Sequence, residues 1–313
     1  MTVNTNDIDL AQRLKQLRVD TVIHTAGPFQ GQNYAVASAA IDAGCNYIDL
    51  ADGRQFVAGI SALDAAARAR GVTVISGASS VPALSSAVID RYIPQLQRLD
   101  SIRMGISSSA RAPGLATVKS VFGYCGQPFR RYEAGSWVTT HGWLDLHRYP
   151  FPAPLGARWV GSCDVPDLDL FPQRYPTVQT VTFHAGFASD VGHLAVWCLA
   201  GLVKAKWVKS ALPCASLLNQ VSRWIEPIVS HRSGMFVCLE GVGHDGNPKS
   251  IRWHLLASHN HGPHIPCGAS IALAEKLSRS ESLPRGAMPC MGLLTVEEYF
   301  APLKPLDIQE ITT

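Results

Sequence analysis

The sequence of 313 residues lacks several features that mark particular classes of protein. Only 16% of its residues are charged, the net charge is +3, and no basic run is interleaved with aromatic residues. Nucleic acid is therefore not an expected partner. The longest apolar stretch, residues 193–203, falls far short of the about 20 residues that a membrane-spanning helix needs. We interpret this stretch as a buried helix, and an interfacial membrane anchor is the alternative.

Cysteine pairs and targeting signals are also lacking. The eight cysteines stand singly, without a C-x-x-C pair, and no secretory signal is recognised before them. They are therefore predicted to be reduced thiols in a cytoplasmic protein. With 47% hydrophobic residues, the chain is long enough to bury a sizeable core and to divide into two units.

The first hundred residues alternate between short β-branched runs and helical patterns. Strands are predicted at residues 21–25, 47–50 and 72–75, and helices from residue 7 and at about 33–43, 56–70 and 83–97. Strands separated by helices need crossover connections, which give a parallel sheet. The strands are almost wholly apolar, as expected when both faces of the sheet are covered. The pattern predicts an α/β fold.

Three segments follow the predicted strands, where ligands bind in sheets of this kind. These segments are residues 24–29, 49–53 and 76–82, and each combines small residues with a glycine or proline that fixes the turn. Ordinary strand-to-helix turns are the alternative, because glycine and proline occur at turns in every α/β fold. Three such segments in succession at one end of a sheet favour a ligand site.

Residues 22–53 and 75–90 resemble the latter half of the Rossmann domain of the saccharopine-dehydrogenase-like NAD(P)-binding oxidoreductases. The A-G-P-F turn at residues 26–29, the alanine-rich helix closed by Gly44 and the strand Tyr47-Ile48-Asp49-Leu50 carry the resemblance. It continues through G-P-H-I-P at residues 262–266 and G-L-L-T-V-E-E-Y-F at residues 292–300, so it covers nearly the whole chain.

The resemblance implies a domain organisation. Residues 1–99 are expected to form a partial NAD(P)-binding Rossmann domain with a parallel sheet. Residues 100–267 are expected to form a mixed or antiparallel α+β domain for substrate binding or dimerisation. Residues 268–313 are expected to be a C-terminal helical segment that packs back on the first domain.

The resemblance also implies a function and a site. The expected activity is hydride transfer between NADP or NAD and a small imine, amine or carbonyl substrate, in a cytoplasmic homo-oligomer. The first domain would bind the cofactor at its sheet ends, and the second domain would enclose the substrate. The residues that the resemblance assigns to the cofactor are Ala26, Gly27, Pro28, Phe29, Asp52, Gly77, Ala78, Ser79, Val81 and Pro82.

One family element is not found before the first predicted strand. Family members begin with a strand, a G-x-G-x-x-G turn and a helix, and the amides of that turn hold the cofactor pyrophosphate. The reading frame is therefore expected to start at an internal methionine of a longer protein. The alternative is a truncated, catalytically inactive binding or assembly module. A G-x-G-x-x-G match at residues 241–246 lies between two strand-like runs, so it is predicted to be a hairpin turn.

The pattern changes after residue 99. Strands are predicted at residues 101–107, 177–187, 235–241 and 250–258, and a helix from about residue 115, which together indicate a mainly antiparallel α+β domain. Residues 137–175 are rich in proline, aromatic residues and glycine. They are predicted to be an ordered loop that forms a lid or a substrate wall.

Further candidate residues are weighed against simpler roles. His259, His261, His264 and Cys267 include the ligand types of zinc, but no second clustered pair completes a pattern, so a polar loop without metal is predicted. His193 is interpreted as a helix cap, with proton transfer as the alternative. Nothing near Cys163 and Asp164 predicts an activated thiol. Residues 262–266 are interpreted as a structural turn. The arginines considered for a carboxylate substrate, without ranking, are Arg103, Arg111, Arg158 and Arg174.

Overall fold

The structure is a computed structural model that describes residues 9–109, 114–214, 220 and 230–313. Its described α-helices are α1 (Leu10–Gln16), α2 (Ala35–Ala43), α3 (Arg54–Ala58), α4 (Asp64–Arg70), α5 (Ser85–Tyr92), α6 (Leu115–Gly123), α7 (Asp167–Arg174), α8 (Asp190–Lys204), α9 (Gly268–Ser278) and α10 (Val296–Phe300). Its described strands are β1 (Thr21–His24), β2 (Asn46–Asp49), β3 (Thr73–Ser76), β4 (Leu96–Ser107), β5 (Pro128–Glu133), β6 (Ser136–His141), β7 (His147–Pro150), β8 (Ala157–Ser162), β9 (Thr180–Gly186), β10 (Ser233–Gly243), β11 (Pro248–Ala257), β12 (Gly286–Pro289) and β13 (Ile308–Thr312).

The chain divides into two compact units, each built from two segments. Unit 1 consists of Met1–Ala87 with Pro266–Leu303, and unit 2 consists of Val88–Ile265 with Lys304–Thr313. The functional assignment of residues 1–99, 100–267 and 268–313 stays a prediction.

Unit 1 contains a four-stranded parallel sheet in the order β1-β2-β3-β12. This arrangement confirms the predicted α/β fold. Helices α1 and α2 pack on one face of the sheet, where Leu14 and Ile41 join Tyr47 and Val74 in one core cluster. Helix α9 contacts β1 and β2. Strands β2 and β3 are almost wholly buried, as expected for strands covered on both faces, whereas β1 is partly exposed.

Strand β12 was not predicted from the sequence. It consists of Gly-Ala-Met-Pro, without a β-branched residue, and Gly286 has a φ of +119°. Its place beside β3 comes from backbone pairing, with Gly286 opposite Thr73, rather than from local preference.

Two predicted helices differ from the structure. In place of one helix at residues 56–70, the structure has α3, a 3-10 turn at Gly59–Leu63 and α4. The Tyr34 hydroxyl donates to the Phe56 carbonyl, in α3 before the 3-10 turn, over 2.7 Å. The helix expected at residues 83–97 ends at Tyr92, because Pro94 has no amide to donate and the chain enters β4 at Leu96.

Unit 2 is built on a mixed nine-stranded sheet. Its main order is β13-β11-β10-β4-β9-β5-β6. In addition, β8 pairs with β9, and β7 pairs with β8. Strands β4 and β9 are parallel, whereas the other pairs of named strands are antiparallel, which confirms the predicted mixed α+β architecture. The hairpin predicted at residues 241–246 is also confirmed, since it joins β10 to β11.

The prediction of an ordered loop at residues 137–175 is wrong. This stretch contains most of β6, all of β7 and β8, and α7. Strands β7 and β8 pair around a turn that holds Pro152 and Pro154, so the prolines mark one turn and not a long loop.

Candidate functional site

The three predicted ligand loops follow β1, β2 and β3, so they meet where the carboxyl ends of these parallel strands lie. We call this end of the sheet in unit 1 its carboxyl edge. We call them loop 1 (residues 25–34), loop 2 (residues 50–53) and loop 3 (residues 77–84). A fourth strand, β12, ends at the same edge, where the Cys290 amide donates to the Ser76 carbonyl over 2.8 Å.

Loop 1 is fixed and partly open to solvent. The Gln32 side-chain amide donates to the carbonyls of Ala26 and Pro28, each over 2.8 Å. The buried Phe29 ring contacts His24 at 5.1 Å between ring centroids. Ala26 is exposed, and Gly27 and Pro28 are half-buried. This loop therefore offers a rigid backbone that a ligand can approach.

Loop 2 lies against loop 1. The half-buried Asp52 carboxylate accepts a hydrogen bond of 3.2 Å from the Gln30 side chain. A Cβ atom on Gly53 would lie 3.3 Å from the Phe29 carbonyl carbon, so the two backbones are in close contact. The structure thus brings Asp52 together with the predicted residues of loop 1.

Loop 3 is tied to β2 by one buried carboxylate. Asp49 Oδ1 accepts hydrogen bonds from the amides of Ala51 (3.0 Å) and Gly77 (2.8 Å) and from the Ser76 hydroxyl (3.0 Å). The Asp49 carbonyl also accepts from the Ala78 amide over 2.8 Å. Burial raises the pKa of Asp49 to about 6, against the opposing effect of these donors.

The predicted residues of loop 3 are all buried: Gly77, Ala78, Ser79, Val81 and Pro82. Gly77 has a φ of +78°, and a Cβ atom there would lie 2.6 Å from Pro82 Cδ. This close packing makes loop 3 the support of the carboxyl edge, whereas loop 1 and Asp52 of loop 2 present the accessible surface.

A histidine and a tyrosine extend this polar group. His24 Nδ1 lies 2.8 Å from the Tyr47 hydroxyl, which in turn lies beside Asp49. Burial lowers the pKa of His24, and burial followed by the neighbouring Asp49 charge raises the pKa of Tyr47. His24 and Asp49 lie within the predicted ligand segments, but the predicted cofactor residues include neither of them nor Tyr47. The alternation along β2 places residues 47 and 49 on one face, which is the signal that would have found Tyr47.

The histidine-rich loop does not gather metal ligands. His259 Nδ1 bonds the Asp307 carboxylate at 2.8 Å, and His261 Nδ1 accepts from the Asp307 amide at 2.8 Å. Across the described ranges, no group of three or more His, Cys, Asp or Glu side chains is placed to hold a metal ion.

The interpretation of His193 as a helix cap is wrong. Ser189 caps α8, because its hydroxyl accepts from the Gly192 amide over 3.1 Å. The His193 side chain is fully buried between Trp143 and Phe187, with each ring centroid 5.8 Å away. Burial lowers the pKa of His193 to about 4.

Three of the candidate arginines have protein partners. Arg158 donates to the Ala188 carbonyl over 2.6 Å, Arg174 pairs with Asp90 at 2.6 Å, and Arg103 lies 3.7 Å from Glu240. Arg111 lies outside the described residues. Cys163 is buried, with its sulfur 3.0 Å from the Tyr124 hydroxyl.

The fold is similar to that of solved dehydrogenase structures. Apo saccharopine dehydrogenase (L-Glu forming) from Saccharomyces cerevisiae superimposes with a TM-score of 0.65 at 11% sequence identity, over 100% of this chain and 89% of that chain. A meso-DAPDH mutant from Clostridium tetani E88 gives a TM-score of 0.42 at 13% identity, over 96% of this chain and 85% of that chain. No protein-family model and no curated protein sequence matches the chain. The first similarity shows that the chain shares its fold with that structure.

Proposed function

We propose that this chain is a NAD(P)-dependent oxidoreductase of the saccharopine-dehydrogenase-like group, acting on a small imine, amine or carbonyl compound. One observation carries the proposal. Four parallel strands end at one edge, where Asp49 fixes small-residue loops, within a fold shared with a saccharopine dehydrogenase. Ligands of such sheets bind beyond the carboxyl ends of the strands.

Loops 1 and 2 fit part of a dinucleotide. The accessible backbone at Ala26 and Gly27 allows close approach, and the Asp52 carboxylate is suited to accept hydrogen bonds from ribose hydroxyls. The bound cofactor would supply or receive the hydride. Loop 3 would support this surface from beneath, because its predicted residues are buried.

The pyrophosphate of the cofactor fits the described loops less well than the ribose does. Pyrophosphates bind at helix N-termini through free amides and a glycine-rich turn. At the start of α2, the Ala35 amide is already bonded to the Asn33 side chain over 3.0 Å. We therefore assign no pyrophosphate contact within the described residues.

The outer side of β1 is open to further strand pairing within the described residues. Among the described residues β1 pairs only with β2, and Ile23 is 45% exposed on it. A further strand that pairs here, followed by a glycine-rich turn, would lie next to loop 1 and complete the nucleotide site.

The test is a fluorescence or calorimetric titration with NADPH and NADH. We expect Asp52→Asn to weaken binding by about tenfold or more, since hydrogen bonds to a charged group contribute about 1.5–3 kcal/mol. The matched control is Asp42→Asn, an exposed position on α2, which should bind like the unchanged protein.

A second form, with a strand and a glycine-rich turn added before residue 1, tests whether a nucleotide site can be completed at β1. Tighter binding by the extended form supports a site completed at β1. If neither form binds NADPH or NADH, the oxidoreductase proposal is wrong.

A non-catalytic binding or assembly module is the second candidate. The burial of all five predicted loop 3 residues favours it, because they offer little surface for a nicotinamide ring. NADPH binding without turnover of any small imine or carbonyl substrate would support this role.

A further inference from the structure

Helix α8 is apolar on both of its sides. Its inner side is buried in unit 2 through His193, Val196, Ala200 and Val203. Its outer side is also apolar, although it is exposed. A helix that is hydrophobic all round is normally covered on every side, so the outer side indicates a further partner.

The exposed residues form a surface that runs past the end of the helix. Val191 is 79% exposed, Trp197 is 38% exposed and Trp207 is 81% exposed. We define the α8 surface by the exposed apolar residues Val191, Leu194, Trp197, Leu202, Trp207 and Leu212. Exposed tryptophans of this extent on one short stretch are unusual for a surface that faces only water.

The turn after α8 holds Trp207 next to the helix. The Trp207 amide donates to the Leu202 carbonyl over 3.0 Å, and the Lys206 amide donates to the Val203 carbonyl over 2.9 Å. Lys206 has a φ of +62°, which is typical of a residue that closes a helix. Trp207 therefore extends the outer side of α8 in a fixed position.

Charge on this stretch is of one sign. Residues 191–214 include no aspartate or glutamate. The exposed Lys204, Lys206 and Lys209 lie at and beyond the C-terminal end of α8, close in sequence to Trp207. Asp190, the acidic residue that directly precedes this stretch in sequence, lies at the opposite end of α8 and faces Arg148 at 3.7 Å.

We propose that the α8 surface docks on an anionic lipid bilayer. The leucines and Val191 enter the boundary between headgroups and acyl chains, and the tryptophans lie at the level of the headgroups. The lysines extend along the apolar surface and place their ammonium groups next to lipid phosphates. Helix α8, with 15 residues, lies on the membrane, and no helix in the described part of the chain is long and apolar enough to cross one.

A second copy of this chain fits the surface less well. A two-fold contact would apply the same patch to itself, so each copy would bring three lysines and no carboxylate from residues 191–214. Like charges at such an interface oppose association. Anionic lipids supply the negative charge that the protein patch lacks.

Flotation with lipid vesicles tests the proposal, independently of the cofactor site. We expect the protein to bind vesicles of phosphatidylcholine with phosphatidylserine, to bind phosphatidylcholine alone more weakly, and to release as salt is raised. Trp207→Ser and Leu194→Ser should each reduce binding several-fold. The matched control is Trp137→Ser on β6, which removes a tryptophan that is 39% exposed outside the α8 surface and should leave binding unchanged.

The charge is tested separately with Lys204→Gln, Lys206→Gln and Lys209→Gln combined. This variant should lose the preference for phosphatidylserine and keep the weak binding to neutral vesicles. The proposal is overturned if the unchanged protein does not float with anionic vesicles. It is also overturned if light scattering shows a dimer that Trp207→Ser dissociates, because a second copy then covers the surface.

Discussion

His193 should make the protein lose stability in mild acid. Its ring is fully buried against Trp143 and Phe187, and both ring nitrogens lack hydrogen-bond partners within the described residues. Burial lowers its pKa from 6.5 to about 4, and the nearby Asp190 opposes this only partly. Protonation therefore requires a buried, unpaired charge, which the unfolded chain avoids.

The direction and size of this pH effect on the free energy of unfolding follow from the difference between the folded-state and unfolded-state pKa values. Because the folded-state pKa lies below the unfolded one, the unfolded chain binds more protons between pH 6.5 and about pH 4. The stability contribution is present above pH 6.5 and is lost as the pH falls through about 4. The whole difference corresponds to about 3 kcal/mol, of which about 2 kcal/mol is lost between pH 7 and pH 5.

The assay is urea unfolding of the intact chain at pH 7 and pH 5, followed by tryptophan fluorescence. His193→Leu removes the titrating group, so we expect it to lose about 2 kcal/mol less than the unchanged protein on this change of pH. At pH 7, this variant should be close to neutral in stability, because it removes two unpaired buried nitrogens.

The exposed His264 provides a control, since His264→Gln should keep the full acid sensitivity. If His193→Leu loses as much stability in acid as the unchanged protein, the reasoning is refuted. The buried imidazole would then have a proton acceptor that stabilises its charge.

Three other substitutions test the loops and the helix cap by the free energy of unfolding. Asp49→Ala should cost about 3 kcal/mol, because it leaves two amides and a hydroxyl without their acceptor; a loss below about 1 kcal/mol would mean that water replaces the carboxylate. Gly77→Ala should cost more stability than Gly71→Ala. Both glycines have positive φ, but only Gly77 also lacks space for a Cβ atom. Equal losses of stability would assign the whole effect to backbone conformation. Ser189→Ala should cost about 1 kcal/mol through loss of the α8 cap, measured as a lower urea midpoint with an unchanged slope, and no change would show that the cap is dispensable.

The sequence predicted the parallel sheet well, because its first three strands are local patterns with clear ends. Gly44 and Gly71 close their helices in the left-handed conformation, as glycine at a helix end predicts. Strand β12 has no such pattern, and its position depends on pairing with β3. The hairpin of β7 and β8 was not predicted either, because its sequence is rich in proline and its strands are defined by their pairing with each other.

The positions of the three loops could be predicted from the sequence, whereas the hydrogen bonds that fix them could not. Loop positions follow from strand ends, so loops 1, 2 and 3 could be found from the sequence. The burial of loop 3 depends on packing by distant residues, which no local pattern records. The role of Asp49 depends on the meeting of β2 with loop 3, so it needed the three-dimensional structure.

The two-segment composition of unit 1 has a consequence for its synthesis. Strand β3 emerges from the ribosome early, but its neighbour β12 and helix α9 follow only after nearly all of unit 2 has been made. Until then β3 has an open hydrogen-bonding edge, at which a nascent chain is prone to aggregate. Unit 2 in turn is completed only when β13 has been made and can pair with β11. We therefore expect each unit to reach its final form only after residues 286–312 have been made, and chaperones that protect nascent sheets should raise the yield of folded protein.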